Sequence, residues 1–267
     1  MNRGNVRPFA VICVILTLLT LLFVGSNLLV IIVRGLRSLP ENLLAPETLF
    51  AVRLSLRSAC LSTIGCFILA IPTAYVLTRE RLPLRGPVEV ILELTLSLPY
   101  IVLGLSLLIL FSSPMGKALK AAGFPVVFST NGIVLAQLAV NLPFAIKLAS
   151  TALREVDGKL ERVAGLLGAS AGRRFFTVLL PMCRNTLISA VILVWARALG
   201  EFGATLMLVG VTRMKTETLP GSIYLNVSVN DLNGALASAF LLLLFSGISL
   251  GVDRILTRPK KMMNRYG

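Results

Sequence analysis

Six apolar segments, each long enough to cross a lipid bilayer, run through this sequence, with the basic residues gathered between them. The first, Phe9–Val33, contains no charged residue. A membrane-spanning helix needs about 20 predominantly apolar residues, and a cleaved secretory signal has an apolar core of only about 7–15. This run is too long for a signal and lacks the small residues of a cleavage site, so it reads as an uncleaved first span. The segments Leu49–Leu77, Val88–Ser112, Thr130–Ala149, Asn185–Val209 and Ala235–Leu256 read as spans two to six. Pro72, Pro99 and Pro143 lie inside three of them, while Arg34–Thr48, with Pro40 and Pro46, reads as a polar linker that breaks helices. The expected fold is an all-α polytopic membrane protein, with residues 1–267 forming a single transmembrane domain whose core spans cover 49–256.

Charge fixes the orientation. Hydrophobic residues make up 56% of the chain and charged residues 14%, where a soluble domain carries about 25% charged. The net charge is nevertheless +14. On a soluble protein that excess would suggest nucleic acid, but here it falls in the loops and no nucleic-acid motif accompanies it. With six spans both termini share one side. Seventeen Lys and Arg lie on that side, against six on the other: Arg34, Arg37, Lys117, Lys120, Arg213 and Lys215. Cytoplasmic loops carry the excess of Lys and Arg, so the chain is oriented N-in and C-in. The absence of histidine removes Ser-His-Asp and Cys-His chemistry and nearly every catalytic zinc site. Four cysteines form no CxxC pair, and Cys13, Cys60 and Cys66 sit in apolar runs as small buried hydrophobes. No catalytic residue and no metal site is expected.

One cytoplasmic stretch does not belong in a bilayer. Between spans four and five, within residues 153–181, Leu160, Val163, Ala164 and Leu167 recur at i, i+3, i+4 and i+7, which is one face of a helix. Asp157 can cap its start and Gly168 can end it. A lipid-surface helix of this kind usually carries bulky anchors, and this stripe has no aromatic residue. The short apolar stripe therefore calls for a protein partner.

Gly168, followed after nine residues by Val178-Leu179-Leu180-Pro181, resembles the EAA signature of ABC importer permeases. In that family the segment is a coupling helix seated in a groove of the ATP-hydrolysing subunit. Ala164, Gly168, Val178, Leu180 and Pro181 match; the signature's Glu and first Ala fall on Arg162 and Val163, with Glu161 one place early. The resemblance therefore implies ATPase coupling through Leu160, Glu161, Val163, Ala164, Leu167, Gly168 and Pro181, but it carries over no contact of the family's Glu. Trp195-Ala-Arg197-Ala-Leu-Gly200-Glu201-Phe-Gly203-Ala is similar to a block of the molybdate/tungstate and sulfate permeases. Thr216-Glu-Thr-Leu-Pro220-Gly-Ser-Ile-Tyr224 and Leu98-Pro99-Tyr100-Ile-Val-Leu-Gly104-Leu resemble blocks of the molybdate/tungstate branch, with Tyr100 replacing that branch's second proline. Asn141-Leu-Pro143-Phe144 fits as well.

The resemblance implies a multi-pass permease in a prokaryotic cell membrane that imports molybdate or tungstate by alternating access, with sulfate or thiosulfate as the alternative. It implies a homodimer, two ATPase subunits that use ATP and Mg, and an external binding protein; this chain would bind no cofactor and be no enzyme. Arg197 and Glu201, four residues apart in span five, either pair as a packing device or place Arg197 on the anion path. Pro99, Pro143 and Thr205 are the other candidates for the path or its gate. An ion-coupled secondary transporter is the rival of another class. It would use Glu201 as its embedded carboxylate but would leave the amphipathic stretch unexplained.

Overall fold

The computed structural model describes residues 6–80, 83 and 85–257. Of the basic residues that orient the chain, Arg3, Arg81 and those after Thr257 lie outside the described residues. Every regular element among the described residues is helical. Five helices are long and apolar enough to cross a membrane, and a bent pair makes a sixth span.

The chain starts with α1 (Val6–Asn42), whose side chains from Phe9 to Leu29 are exposed all round. A helix that is apolar on every side suits lipid. Its last turns pack on α12 (Leu232–Leu256), where Gly35 lies against Phe240 and Ser38 meets Asn233. The expected linker Arg34–Thr48 is corrected here, because the helix continues to Asn42 and only Leu43–Ala45 interrupt it. Pro40 sits in the last turn of α1, and Pro46 opens α2 (Pro46–Arg79) in the first turn, where a missing N–H leaves no helical bond unmade.

Helix α2 and α6 (Thr130–Arg154) form the central pair. Cys66, Ala70 and Ala74 of α2 pack with Ala145, Ala149 and Ala152 of α6, all fully buried. Small side chains let membrane helices approach closely, where dispersion and hydrogen bonds replace the hydrophobic effect. Helix α9 (Leu180–Leu199) packs across both, contributing Ala190, Val194 and Ala198.

Two expected spans are broken. Span three is α3 (Arg85–Ser97) and α4 (Tyr100–Ser112), bent by 110° at Leu98-Pro99. Proline disfavours helical backbone in the residue before it. Pro99 accordingly caps α4 in an extended conformation instead of lying within a helix. Span five ends at Leu199, and Gly200-Glu201-Phe202 separate it from α10 (Gly203–Val209). At its inner end the same span begins earlier than Asn185. It includes α8 (Ala171–Arg174) and a π turn (Phe175–Leu179), placed just before Pro181, which has no N–H for the carbonyl four residues back.

On the outer side, after the short α5 (Pro114–Ala121), lies the segment from Gly210 to α11 (Leu219–Ser228). Fully buried Glu217 pairs with Arg213 at 3.3 Å and accepts the Met214 N–H, while Arg213 donates to Asn226 at 2.7 Å. Thr218 caps α11, and the Leu219 N–H donates to Ser55 of α2 at 2.7 Å. The Thr-Glu-Thr-Leu-Pro block thus builds the turn into α11. The ends of α2 and α6 meet where Arg79 donates to the Leu153 carbonyl at 2.7 Å, and Ser189, midway along α9, donates to Asp253, near the end of α12, at 2.6 Å. The start of α1 and the ends of α2, α6 and α12 therefore share one side, consistent with the N-in, C-in orientation.

Candidate functional site

Two places gather the residues singled out by sequence. The first is α7 (Gly158–Leu166) at the inner side. Asp157 accepts the Lys159 N–H at 2.9 Å, closing the helix start as an N-cap does. At the other end Ala169 N–H donates to Ala164 O and Gly168 N–H to Gly165 O, each at 3.0 Å. That pair of bonds is the Schellman stop, which needs a left-handed residue, and Gly168 supplies it with φ +88°. Pro181 follows in the first turn of α9.

The apolar face of α7 is uncovered. Leu160 is 42% exposed, Val163 54% and Leu167 84%, while Ala164 is half-buried. Leu166, absent from the stripe read by periodicity, is 88% exposed beside them. It falls off the i, i+3, i+4 pattern because the helix ends there, and a terminal turn presents more than one face. Glu161 takes the opposite direction. It is buried, and its carboxylate lies 2.6 Å from the Arg79 guanidinium. Its ion pair is therefore made within the chain. Arg79, counted in the sequence only among the seventeen inner-side Lys and Arg, is its partner, and 82 positions separate the two.

The second place is where the broken spans meet. The Arg197 guanidinium, in the last turn of α9, lies 4.8 Å from the Phe144 ring centroid and 5.4 Å from that of Tyr100, and it donates to the Tyr100 hydroxyl. Cations over aromatic faces at such distances gain about 0.5–2 kcal/mol, the more so where water is excluded. Tyr100 is the first residue of α4, directly after Pro99, and Phe144 directly follows Pro143 of α6. The two prolines thus flank the aromatic residues that hold Arg197. Phe144 stands about 21 Å along α6 at about 1.5 Å per residue, near that helix's midpoint. Tyr100 and Phe144 were legible only as members of blocks, not as ligands of a cation.

The expected pairing of Arg197 with Glu201 does not occur. Such i, i+4 contacts need a continuous helix, and α9 stops between them. Glu201, 4% exposed, instead accepts the Ala204 N–H at 2.7 Å, the Thr205 N–H at 3.2 Å and the Thr205 hydroxyl. Its carboxyl oxygens meet the otherwise unpaired N–H groups at the start of α10. Thr205 is itself buried behind the break. Close approach of α4 and α10 depends on Gly104, where a Cβ would come within 2.6 Å of the Ala204 backbone. From the α6 side, Gln137 donates to the Ala198 carbonyl at 3.0 Å and to Ser58 at 3.2 Å, fixing the end of α9. Along the inner half of α6, a cavity of about 320 Å³ runs from Pro143 past Lys147 to Arg154, with Glu89 and Glu93 of α3 on its other wall.

Residues 66–261 match the family described as binding-protein-dependent transport system inner membrane component. The chain belongs to this family. It is the permease subunit of an ABC importer, a transport component of a membrane rather than an enzyme. The permease is 39% identical to the molybdenum transport system permease protein ModB of Mycobacterium tuberculosis over 210 residues, covering 78% of this chain and 79% of that one. It is 35% identical to the molybdate/tungstate transport system permease protein WtpB of Thermococcus kodakarensis over 63% of this chain and 64% of that relative. The sulfate transport system permease protein CysT of Escherichia coli is 32% identical over 77% of each. Among solved structures, the permease shares its fold with a chain of a bacterial ABC transporter that imports alginate (TM-score 0.73, 16% identity, 94% of this chain and 97% of that one). It shares it also with a chain of the MetNI methionine ABC transporter (TM-score 0.61, 18% identity, 78% and 95%).

Proposed function

We propose that this permease carries a tetrahedral oxyanion, molybdate or tungstate, across the membrane. It works as a homodimer with two ATPase subunits on its inner face and a binding protein that delivers the anion outside. The observation that supports the substrate is the 39% identity, over more than three quarters of each chain, to relatives named as molybdenum permeases. The match to the sulfate permease supports sulfate as the second reading.

The geometry supplies parts suited to the task. The ATPase docks on the exposed Leu160, Val163, Leu166 and Leu167, with Ala164 at their edge and Gly168 turning the chain away. ATP and Mg act on that partner. Its closure on ATP drives the two α7 helices together and opens the spans outward, and hydrolysis restores the inward-open state. Arg197 is the cationic point on the path. Tyr100 and Phe144 hold it beside Pro99, where span three breaks, and Pro143, inside α6, so the anion meets a positive charge that is already partly engaged and does not bind too tightly to leave. Lys147 and Arg154 line the inner cavity opposite Glu89 and Glu93, with Arg154 lying 3.9 Å from the Glu89 carboxylate. A proton- or sodium-coupled mechanism would need Glu201 free to exchange, and its carboxylate is occupied by two backbone N–H groups and a hydroxyl.

The test is uptake of labelled molybdate into vesicles containing the permease, its ATPase and its binding protein. Uptake is expected to require ATP and the binding protein together. Uptake driven by a proton or sodium gradient without ATP would overturn the reading.

A further inference from the structure

Arg79 ends α2, and its guanidinium is engaged wholly within the chain. One terminal nitrogen donates to the carbonyls of Leu153 at 2.7 Å and Val156 at 2.9 Å, and Nε lies 2.6 Å from the Glu161 carboxylate. Leu153 is in the last turn of α6, Val156 is in the link after it, and Glu161 is in the first turn of α7. One side chain therefore holds three successive pieces of chain. The carbonyls at a helix C-terminus lack intrahelical donors and carry the negative end of its dipole, so a cation is well placed there. The planar guanidinium spreads its charge so that Nη2 meets the two carbonyls while Nε stands beside the carboxylate, whereas lysine would bring a single compact ammonium. The pair is also shielded, the two side chains being 18% and 10% exposed.

The rest of α7 gives little hold on the spans. It packs chiefly against α8 and the π turn, while its other face projects Leu160, Val163, Leu166 and Leu167 outward. Helices α2 and α6, by contrast, form the central packed pair. Farther along α6 come Phe144, under Arg197, and Gln137, on the Ala198 carbonyl. We infer that Arg79 and Glu161 are the positioning pair that carries displacement of α7 into α2 and α6, and so links the ATPase stroke to the mid-membrane break. The inference rests on the reading that an ATPase docks on α7.

The test uses the whole complex in liposomes and reads anion taken up per ATP hydrolysed. A defect in folding or assembly scales uptake and hydrolysis together and leaves this ratio unchanged. Glu161→Gln and Arg79→Lys are each expected to lower the ratio about fivefold or more, within the usual range of coupling between sites. The double variant should fall no further than the worse single, as members of one pair do. Glu161→Asp, which keeps the charge, should recover part of the loss. An unchanged ratio in assembled Glu161→Gln and Arg79→Lys complexes overturns the inference.

A second measurement covers variants that do not assemble. Spin labels at Thr151→Cys and Leu166→Cys, in the full-length permease with its four native cysteines replaced and labelled protomers diluted with unlabelled ones, should give one narrow distance, broadened by Glu161→Gln; equal widths overturn the inference. Failure of the unaltered permease to bind its ATPase would instead overturn the docking reading, and the label distances would still decide the role of the pair.

Discussion

Replacing Leu167 by Asp releases the ATPase from the permease and leaves the spans folded. Leu167 is 84% exposed, so the chain itself loses almost no contact when the side chain changes. On a docked face the same side chain is buried by the partner, which is worth about 1.5–3 kcal/mol for a leucine. A carboxylate there loses that burial and must also be desolvated without a counter-charge. Since every 1.4 kcal/mol is tenfold in affinity, the ATPase should bind about 100-fold more weakly. The measurement is titration of detergent-solubilised permease with its ATPase, alongside thermal unfolding of the permease alone. Loss of binding with an unchanged unfolding temperature is the expected result. Binding that survives Leu167→Asp would remove α7 as the dock.

Replacing Arg197 by Met keeps the length and apolar stem of the side chain but removes the charge from the place where the broken spans meet. A cation at mid-bilayer costs about 2.5–3.5 kcal/mol on insertion scales, so the Met chain should insert at least as readily. The variant loses the hydrogen bond to the Tyr100 hydroxyl and the contacts with both rings. A hydrogen bond to a charged group is worth about 1.5–3 kcal/mol, so loss of one such interaction with a passing anion slows uptake about tenfold or more. ATP hydrolysis by the assembled complex should continue. Normal uptake by an assembled Met variant would remove Arg197 from the path. Failure of the variant to accumulate would show instead that its role is to hold α9 against α4 and α6.

How far the sequence reveals this molecule depends on the range over which each feature is determined. Helix α7 is set by local rules: Asp157 before it, apolar residues at helical spacing, and a glycine where a left-handed residue is required. All of these are visible in the twelve consecutive residues 157–168. The long apolar spans are legible for the same reason, because lipid demands a run of one composition. The breaks are harder. A proline within an apolar run marks a disturbance, but whether Pro99 kinks a helix or divides it by 110° depends on what α4 packs against, and that is α10. Pro40, equally suggestive of a break, lies within a helix because Gly35 and Ser38 hold that segment on α12.

Side-chain partners are the least legible. Spacing alone paired Arg197 with Glu201. Once α9 stops, the backbone N–H groups at the start of α10 compete for the carboxylate and win, while two rings from distant helices take the cation. Glu161 likewise stood near a family position that faces a partner, and it turned inward to an arginine at the end of another span. A helical wheel gives the angle between residues but not which side meets the protein, so the sequence could not name Arg79 as its partner.

The most direct test of the account is competition uptake in vesicles that hold the permease with its ATPase and binding protein, supplied with ATP and labelled molybdate. Tungstate at equal concentration should suppress the labelled uptake, and sulfate at the same concentration should leave it standing. Sulfate prevailing over molybdate would contradict the account and assign the permease to the sulfate branch.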